Sequence, residues 1–272
     1  MIRALLRAAQ HLVRETSQPL TWVLGYHLVR GGTGLSIDTP RAQFLDQLRL
    51  LSDNAAIVPL SELTRRLGDG TAAAPQTQVV LTFDDAFLNF YEEVLPLLVE
   101  NSLPATLFVP PGFINGDGNH PLYHPRFSHL RPMTWEQVRE CAKAGVEIGS
   151  HTYRHTNLTR LTAAELTQEL SGSRQDIEEH LGVRPACVCY PEGFVNRSVV
   201  RAAAQSFECG VVGGGRAIRA AHGEDMMKLP RLPVRADMSA EDLSRVLNQS
   251  VYLEEWAADK VRRLRGRVAK RD

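Results

Sequence analysis

Short apolar runs alternate with stretches of helical periodicity along most of this chain, with polar or glycine-rich breaks between them. Residues 21–29 (Thr-Trp-Val-Leu-Gly-Tyr-His-Leu-Val) read as a buried strand with His27 near its end. Phe44, Leu45, Leu48 and Leu51 recur at helical spacing; 56–58 is a short strand and 61–67 a second helix. Val79-Val80-Leu81-Thr82-Phe83 is the stretch around which the rest is organised, and Asp84 and Asp85 follow it directly. Its β-branched and aromatic residues suit a strand covered on both faces. Two carboxylates cannot continue into a core, because burying unpaired charge is expensive, so they belong where the strand emerges. A helix over 87–100 should kink or end a turn at Pro96, which lacks an N–H. After a strand at 105–109 comes a long irregular piece, 110–132, carrying His120, His124 and His129; it reads as a rim over a site. Thr134 with Gln137, and Thr162 with Glu165, have capping-box spacing, the second opening a helix to about Leu181. Further strands are read at 146–149, 185–190, 209–212 and 229–234, with a helix at 198–207 and a last one capped by Asp237 or Ser239.

Seven or eight strand–helix alternations call for a parallel sheet, and the length suits a closed (β/α) barrel in a single α/β domain. Around it, residues 1–20 form an amphipathic N-terminal helix, 21–240 the barrel, and 241–272 a C-terminal helix and basic tail. Asp84, Asp85, His151 and the turn after Tyr190 all follow strands, and a barrel gathers such residues on one face.

Composition changes this picture only in part. With 272 residues, 43% of them hydrophobic, a sizeable core needs no staples. The net charge is zero, but residues 1–20 carry +2 and 253–272 carry +3, which leaves −5 on the body. An acidic body argues against nucleic acid as a partner. The basic ends are either solvated or in contact with an anionic membrane surface, to which the N-terminal helix would bring the protein. Cys187 and Cys189 are assigned to opposite strand faces and not to each other, and the four cysteines are taken as buried free thiols, which fits a reducing compartment. No run approaches a transmembrane length, and Arg7 interrupts any signal-like apolar region, so a cytoplasmic location is expected.

His151 and His155 lie four apart, on one helical face or on successive corners of a turn, and can reach one metal. With one Asp they make a three-ligand set that leaves a position open for water, and zinc is the expected ion. Neighbouring carboxylates on an extended chain point different ways, so one can ligate while the other takes a proton. His27, taken alone, is more often a core residue than a catalyst.

The runs Val80-Leu81-Thr82-Phe83-Asp84-Asp85, Pro104-Ala105-Thr106-Leu107-Phe108-Val109 and Gly149-Ser150-His151-Thr152-Tyr153-Arg154-His155 together resemble the polysaccharide deacetylases of the NodB-homology type, over roughly residues 20–240. The resemblance implies a distorted (β/α)7 barrel, Asp84 as general base, and Asp85, His151 and His155 as metal ligands. Ordinary members carry Gly after the Asp pair, where this chain has Ala86. Their Arg-containing third motif is replaced by Tyr190-Pro191-Glu192-Gly193, which resembles the form in a branch that includes poly-N-acetylglucosamine deacetylases. The oxyanion donor of that turn maps to the Glu192 N–H, with Tyr190 and Pro191 beside it. The C-terminal Leu-X-Leu-His motif is missing, but Leu24-Gly25-Tyr26-His27 has its character, as in the circularly permuted members of that branch. This offers His27 as general acid. Arg231 either orients Asp84 in place of the missing Arg or makes a surface ion pair. The rim histidines are read as solvated or structural.

The function so implied is metal-dependent removal of an N-acetyl group from an acetylated amino sugar, in a polysaccharide or in a nucleotide- or lipid-linked precursor of one. A carbohydrate O-acetyl esterase, a non-catalytic sugar-binding relic and a metal-binding scaffold are the alternatives.

Overall fold

The computed structural model describes residues 19–71, 76–117, 120–124, 127, 129–219 and 223–247. The expected N-terminal helix and most of the basic tail lie outside the described residues. Seven parallel strands close a barrel: β1 (Thr21–Tyr26), β5 (Gln78–Phe83), β6 (Thr106–Val109), β7 (Glu147–Ser150), β8 (Cys187–Cys189), β9 (Cys209–Gly213) and β10 (Leu229–Pro233), with β10 pairing back onto β1. Two short strands, β2 (Leu28–Arg30) and β3 (Asp38–Pro40), form a separate parallel pair. The two-residue β4 (Ala56–Ile57) joins the edge of β5.

The distortion sits at β5. One edge pairs with β1 along the full length, from Thr21 opposite Gln78 to Tyr26 opposite Phe83. The other edge is shared: β4 takes its start, while β6 takes only its end, at Thr82 and Phe83. Continuous apolar runs build both layers, because these strands are covered on both faces. Val23, Val80, Phe108, Cys187, Cys209, Val211 and Leu229 fill the inside, with Leu60 and Leu63 of the helix Leu60–Gly68. Glu147, the first residue of β7, accepts the Leu60 N–H (3.1 Å) and the Ser61 N–H (3.3 Å) and pins that helix across the N-terminal end of the barrel. Outside, Trp22, Leu24, Tyr26, Leu81 and Phe83 pack on Phe44, Leu48 and Leu51 of helix Arg41–Asn54. Tyr26 stacks on Phe83 at 5.4 Å and meets Phe44 edge-on at 5.2 Å. Each such buried side chain contributes roughly 1.5–3 kcal/mol. The opposite end of the barrel is left to polar residues.

Four sequence expectations are corrected. The first strand stops at Tyr26; His27 lies between β1 and β2, which leaves the barrel sheet to pair with β3. The predicted kink at Pro96 is absorbed by a π-turn, Phe90–Val94, after which Pro96 falls in the first turn of the helix Leu95–Glu100, where no N–H is needed. The helix opened by Thr162 contains a second π-turn, Gln168–Gly172. The cysteines are not all free: Cys187 and Cys209, register partners on β8 and β9, form a disulfide with Cα atoms 4.6 Å apart. Cys187 and Cys189, two apart on one strand, share the inner face as strand alternation requires. Only Cys141 and Cys189 are free thiols, so the composition argument for a reducing compartment loses its ground. Among the described residues no helix is long and apolar enough to cross a membrane.

Candidate active site

The polar residues at the C-terminal ends of the strands converge on one cleft of about 650 Å³, lined by His27, Asp84, Asp85, His151, His155 and Glu192 on the barrel side. Residues 120–124 and Phe127 of the rim supply the facing wall. Reaching this mouth takes unusual backbone. Asp85, Ala86, Thr152, His155 and Glu192 all have positive φ; among the described residues the other non-glycine residue that does is Ser102. Left-handed conformations at non-glycine residues are strained and persist where the surroundings fix them. Ala86 stands at φ 50°, fully buried, in a conformation that glycine would adopt without strain.

Asp84 is held on one side by Arg231. This strand arginine is buried and donates through Nη1 to Asp84 Oδ2 at 2.6 Å and through Nε to Thr82 Oγ1 at 2.8 Å. Gly25 makes the space: a Cβ there would overlap the guanidinium. Arg231 is therefore not in a surface ion pair. His27 Nε2 lies 3.5 Å from the same Asp84 oxygen. The Cys189 thiol also points at it, at 3.7 Å, and burial pushes that thiol well above its usual range, so it stays protonated. Burial alone would raise the Asp84 pKa. Arg231, with His151 and His27, outweighs it and holds the carboxyl well below the usual range.

Asp85 has no such partner. Its Oδ1 is buried without a hydrogen bond and faces two imidazoles, His151 Nε2 at 3.5 Å and His155 Nε2 at 3.4 Å. Burial pushes Asp85 up to about 7. It pushes His151 down to about 3 and lowers His155 as well, so both rings are uncharged at neutral pH. The Cys189 carbonyl, 2.8 Å from His151 Nδ1, takes that N–H and leaves Nε2 as a lone-pair donor toward the cleft. The loop between the histidines is tied down too: Thr152 N–H donates to Ser150 Oγ (3.1 Å), and Arg154 N–H to the buried Glu169 carboxylate (2.8 Å).

Two neutral nitrogens and an orphaned carboxylate oxygen, within 4.8 Å of one another, are a donor set that fits a divalent ion such as zinc. Asp84, His151 and Cys189 satisfy the same distance limit. That set is disfavoured, because Arg231 already occupies Asp84 and the thiol is protonated.

The turn Pro191–Gly193 closes the mouth beside His155. Its backbone bonds run from Gly193 N–H to Tyr190 O and from Phe194 N–H to Pro191 O, and neither uses the Glu192 N–H. Glu192 lines the cleft, but the Tyr190 side chain packs outward with Leu158, Val188 and Val199. Tyr190 and Pro191 thus shape the turn and bring no side chain to the cleft. Of the rim histidines, His129 is exposed, His124 lines the cleft, and His120 is buried. Thr82, Gly25, Cys189 and Glu169 position the site, and the sequence assigned none of them a site role, since each looks like an ordinary strand or helix residue.

Residues 71–208 match the family model described as polysaccharide deacetylase. A poly-β-1,6-N-acetyl-D-glucosamine N-deacetylase of Staphylococcus aureus is 26% identical over 166 residues, covering 57% of this chain and 54% of that one, so the match spans about half of the relative's length. The Bacillus subtilis protein YxkH is 25% identical over 218 residues, 80% of this chain and 72% of that one. Among solved structures, the Streptococcus pyogenes deacetylase PplD in complex with acetate superposes with a TM-score of 0.72 at 22% identity, over 85% of this chain and 99% of that one. IcaB from Ammonifex degensii superposes with a TM-score of 0.71 at 23% identity, over 85% and 97%. These superpositions establish the barrel fold.

Proposed function

Because the chain belongs to the polysaccharide deacetylase family, we propose that its cleft hydrolyses the N-acetyl group of an acetylated amino sugar in a glycan or glycan precursor. One observation carries the reading: two adjacent aspartates in opposite settings, Asp84 locked to Arg231 and Asp85 facing two neutral histidines with an unsatisfied oxygen.

Asp85, His151 and His155 would hold a zinc ion, which acidifies water and polarises the acetyl carbonyl when bound. Asp84 takes the proton from the attacking water. Arg231 keeps that carboxylate charged and aimed, so its base form is present across neutral pH. The Glu192 N–H, unused within its own turn, donates to the developing oxyanion. His27, beside Asp84, delivers a proton to the amine as the carbon–nitrogen bond breaks. Attack thus yields acetic acid and a free amine, with one proton taken by Asp84 and one supplied by His27, and the acid then gives its own proton to solvent to leave as acetate.

The test is acetate release from β-1,6-linked N-acetylglucosamine oligomers, chitooligosaccharides, a nucleotide-linked N-acetylglucosamine and O-acetylated xylan, with zinc present or chelated. Zinc-dependent acetate from an amide-linked sugar is expected. Acetate from the ester alone would reassign the enzyme as an O-acetyl esterase, and none from folded, zinc-loaded protein would overturn the reading.

A further inference from the structure

A second hollow lies just beyond the turn that closes the cleft, and the reaction above does not use it. It holds about 630 Å³, and Arg197, Arg201, Lys228, Asp225, Val195 and Val200 line it. Arg197 and Arg201 stand four apart on the helix Arg197–Ala203, so they share one side of it. Lys228 reaches the same hollow from the turn that precedes β10. The one carboxylate among these residues, Asp225, is already engaged: it pairs with Lys228 at 2.8 Å and accepts the Met227 N–H at 3.0 Å. Arg197 and Arg201 are exposed, and neither has an ion-pair partner among the described residues.

Other surface arginines show the ordinary arrangement. Arg49, Arg65 and Arg245 each meet a carboxylate three or four residues away on their own helix. At that spacing Arg197 and Arg201 have only each other, and like charges four apart on a helix are destabilising. The chain between its basic ends carries −5, so three cations against one carboxylate make the hollow a local exception in an acidic body. Such a field attracts an anion, and the guanidinium fork suits carboxylate and phosphate alike.

The path of the chain ties this hollow to the cleft. Glu192 lines the cleft and Val195, three residues on, lines the hollow. Their Cα atoms are at most ~11 Å apart, and the bond from the Phe194 N–H to the Pro191 carbonyl keeps the connecting stretch folded. A glycan strand seated in the cleft therefore comes within reach of Arg197 and Arg201 a few sugars along.

We propose that this hollow is a second binding site, which takes an anionic group, carboxylate or phosphate, on a sugar further along the strand whose acetamide occupies the cleft. This rests on the amino-sugar reading and narrows it: acidic glycans are bound in preference to neutral ones. Arg197 and Arg201 touch no reacting atom, and turnover of a neutral strand does not need them.

The experiment uses full-length, zinc-loaded protein and the double variant Arg197→Gln with Arg201→Gln. Three β-1,4-linked N-acetylglucosamine tetramers are compared: unmodified, partly oxidised at C6 to carboxylate, and phosphorylated at O6. Wild type should show a KM about five- to tenfold lower for a charged form than for the neutral one, and the gap should shrink as salt is raised. Which charged form gains distinguishes carboxylate from phosphate. In the double variant the gap should close while kcat and KM on the neutral tetramer stay unchanged, which also shows that the variant is folded. No gap in wild type, or a gap that survives in the double variant, would overturn the proposal while turnover of the neutral tetramer upholds the parent reading. Acetate from none of the three would tell against the parent reading, and calorimetric titration with the phosphorylated tetramer then decides for the hollow: binding lost in the double variant upholds it, and absent or equal binding overturns it. Vesicles containing phosphatidylglycerol complete the comparison. Binding to them that needs Arg197 and Arg201, with no preference among the tetramers, would assign the hollow to a membrane surface and overturn the glycan site.

Discussion

The two sides of the cleft floor begin one residue apart and end as chemical opposites. On the Asp84 side, a buried cation, a thiol and a hydroxyl that positions the cation surround the carboxylate, and it stays charged. On the Asp85 side the neighbours are two uncharged imidazoles, and burial drives the carboxyl toward neutrality until something positive arrives. The lesson is that the strand places both aspartates, while β10 and the His151–His155 loop decide what each becomes. A hydrolytic site needs both states together: a base that is already charged, and a ligand set that is short of one cation.

The contrast can be broken from the Arg231 side. Arg231→Met leaves Asp84 buried and uncompensated, which should destabilise the fold by about 3–5 kcal/mol. It also removes the main influence lowering the Asp84 pKa, so burial then dominates and the pKa rises. The acidic limb of kcat/KM should therefore move to higher pH; a limb that stays in place would mean that Asp84 is not the base being titrated. A smaller loss is expected in the wall that carries Cys189. Cys209→Ala removes the cross-strand disulfide and should lower stability by roughly 2–4 kcal/mol, read in a denaturant titration. Zinc stoichiometry should persist, since no ligand is touched; its loss would show that the two walls are mechanically one. The smallest effect sharpens the contrast. Gly25→Ala pushes a methyl into the Arg231 guanidinium, at about 1–3 kcal/mol for overpacking. Activity should fall with zinc affinity unchanged, and a parallel fall in zinc affinity would contradict the separation of the two sides.

Much of this was legible in the chain itself, for physical reasons. The strand 79–83 had to be buried, its two carboxylates had to emerge, and a histidine pair four apart after another strand had to meet them if the sheet closed. What stayed hidden depends on inter-strand register. Leu229-Pro230-Arg231-Leu232-Pro233 does not choose between an Arg231 that orients Asp84 and one in a surface ion pair, because the space it fills comes from a glycine on β1. The disulfide depends on Cys187 and Cys209 being register partners on neighbouring strands, and spacing along the chain does not report that. The place of His120 follows from a stack on Phe113 and a backbone contact to Leu122, within a segment that carries no periodicity.

The central claim is that adjacent aspartates divide the labour, and one paired measurement tests it. Asp84→Asn and Asp85→Asn would each be assayed for bound zinc and for acetate released from the β-1,6-linked tetramer. The account predicts that Asp84→Asn retains stoichiometric zinc while kcat/KM falls by about 10²–10⁴, and that Asp85→Asn loses both zinc and acetate. Zinc lost from Asp84→Asn and kept by Asp85→Asn would contradict it.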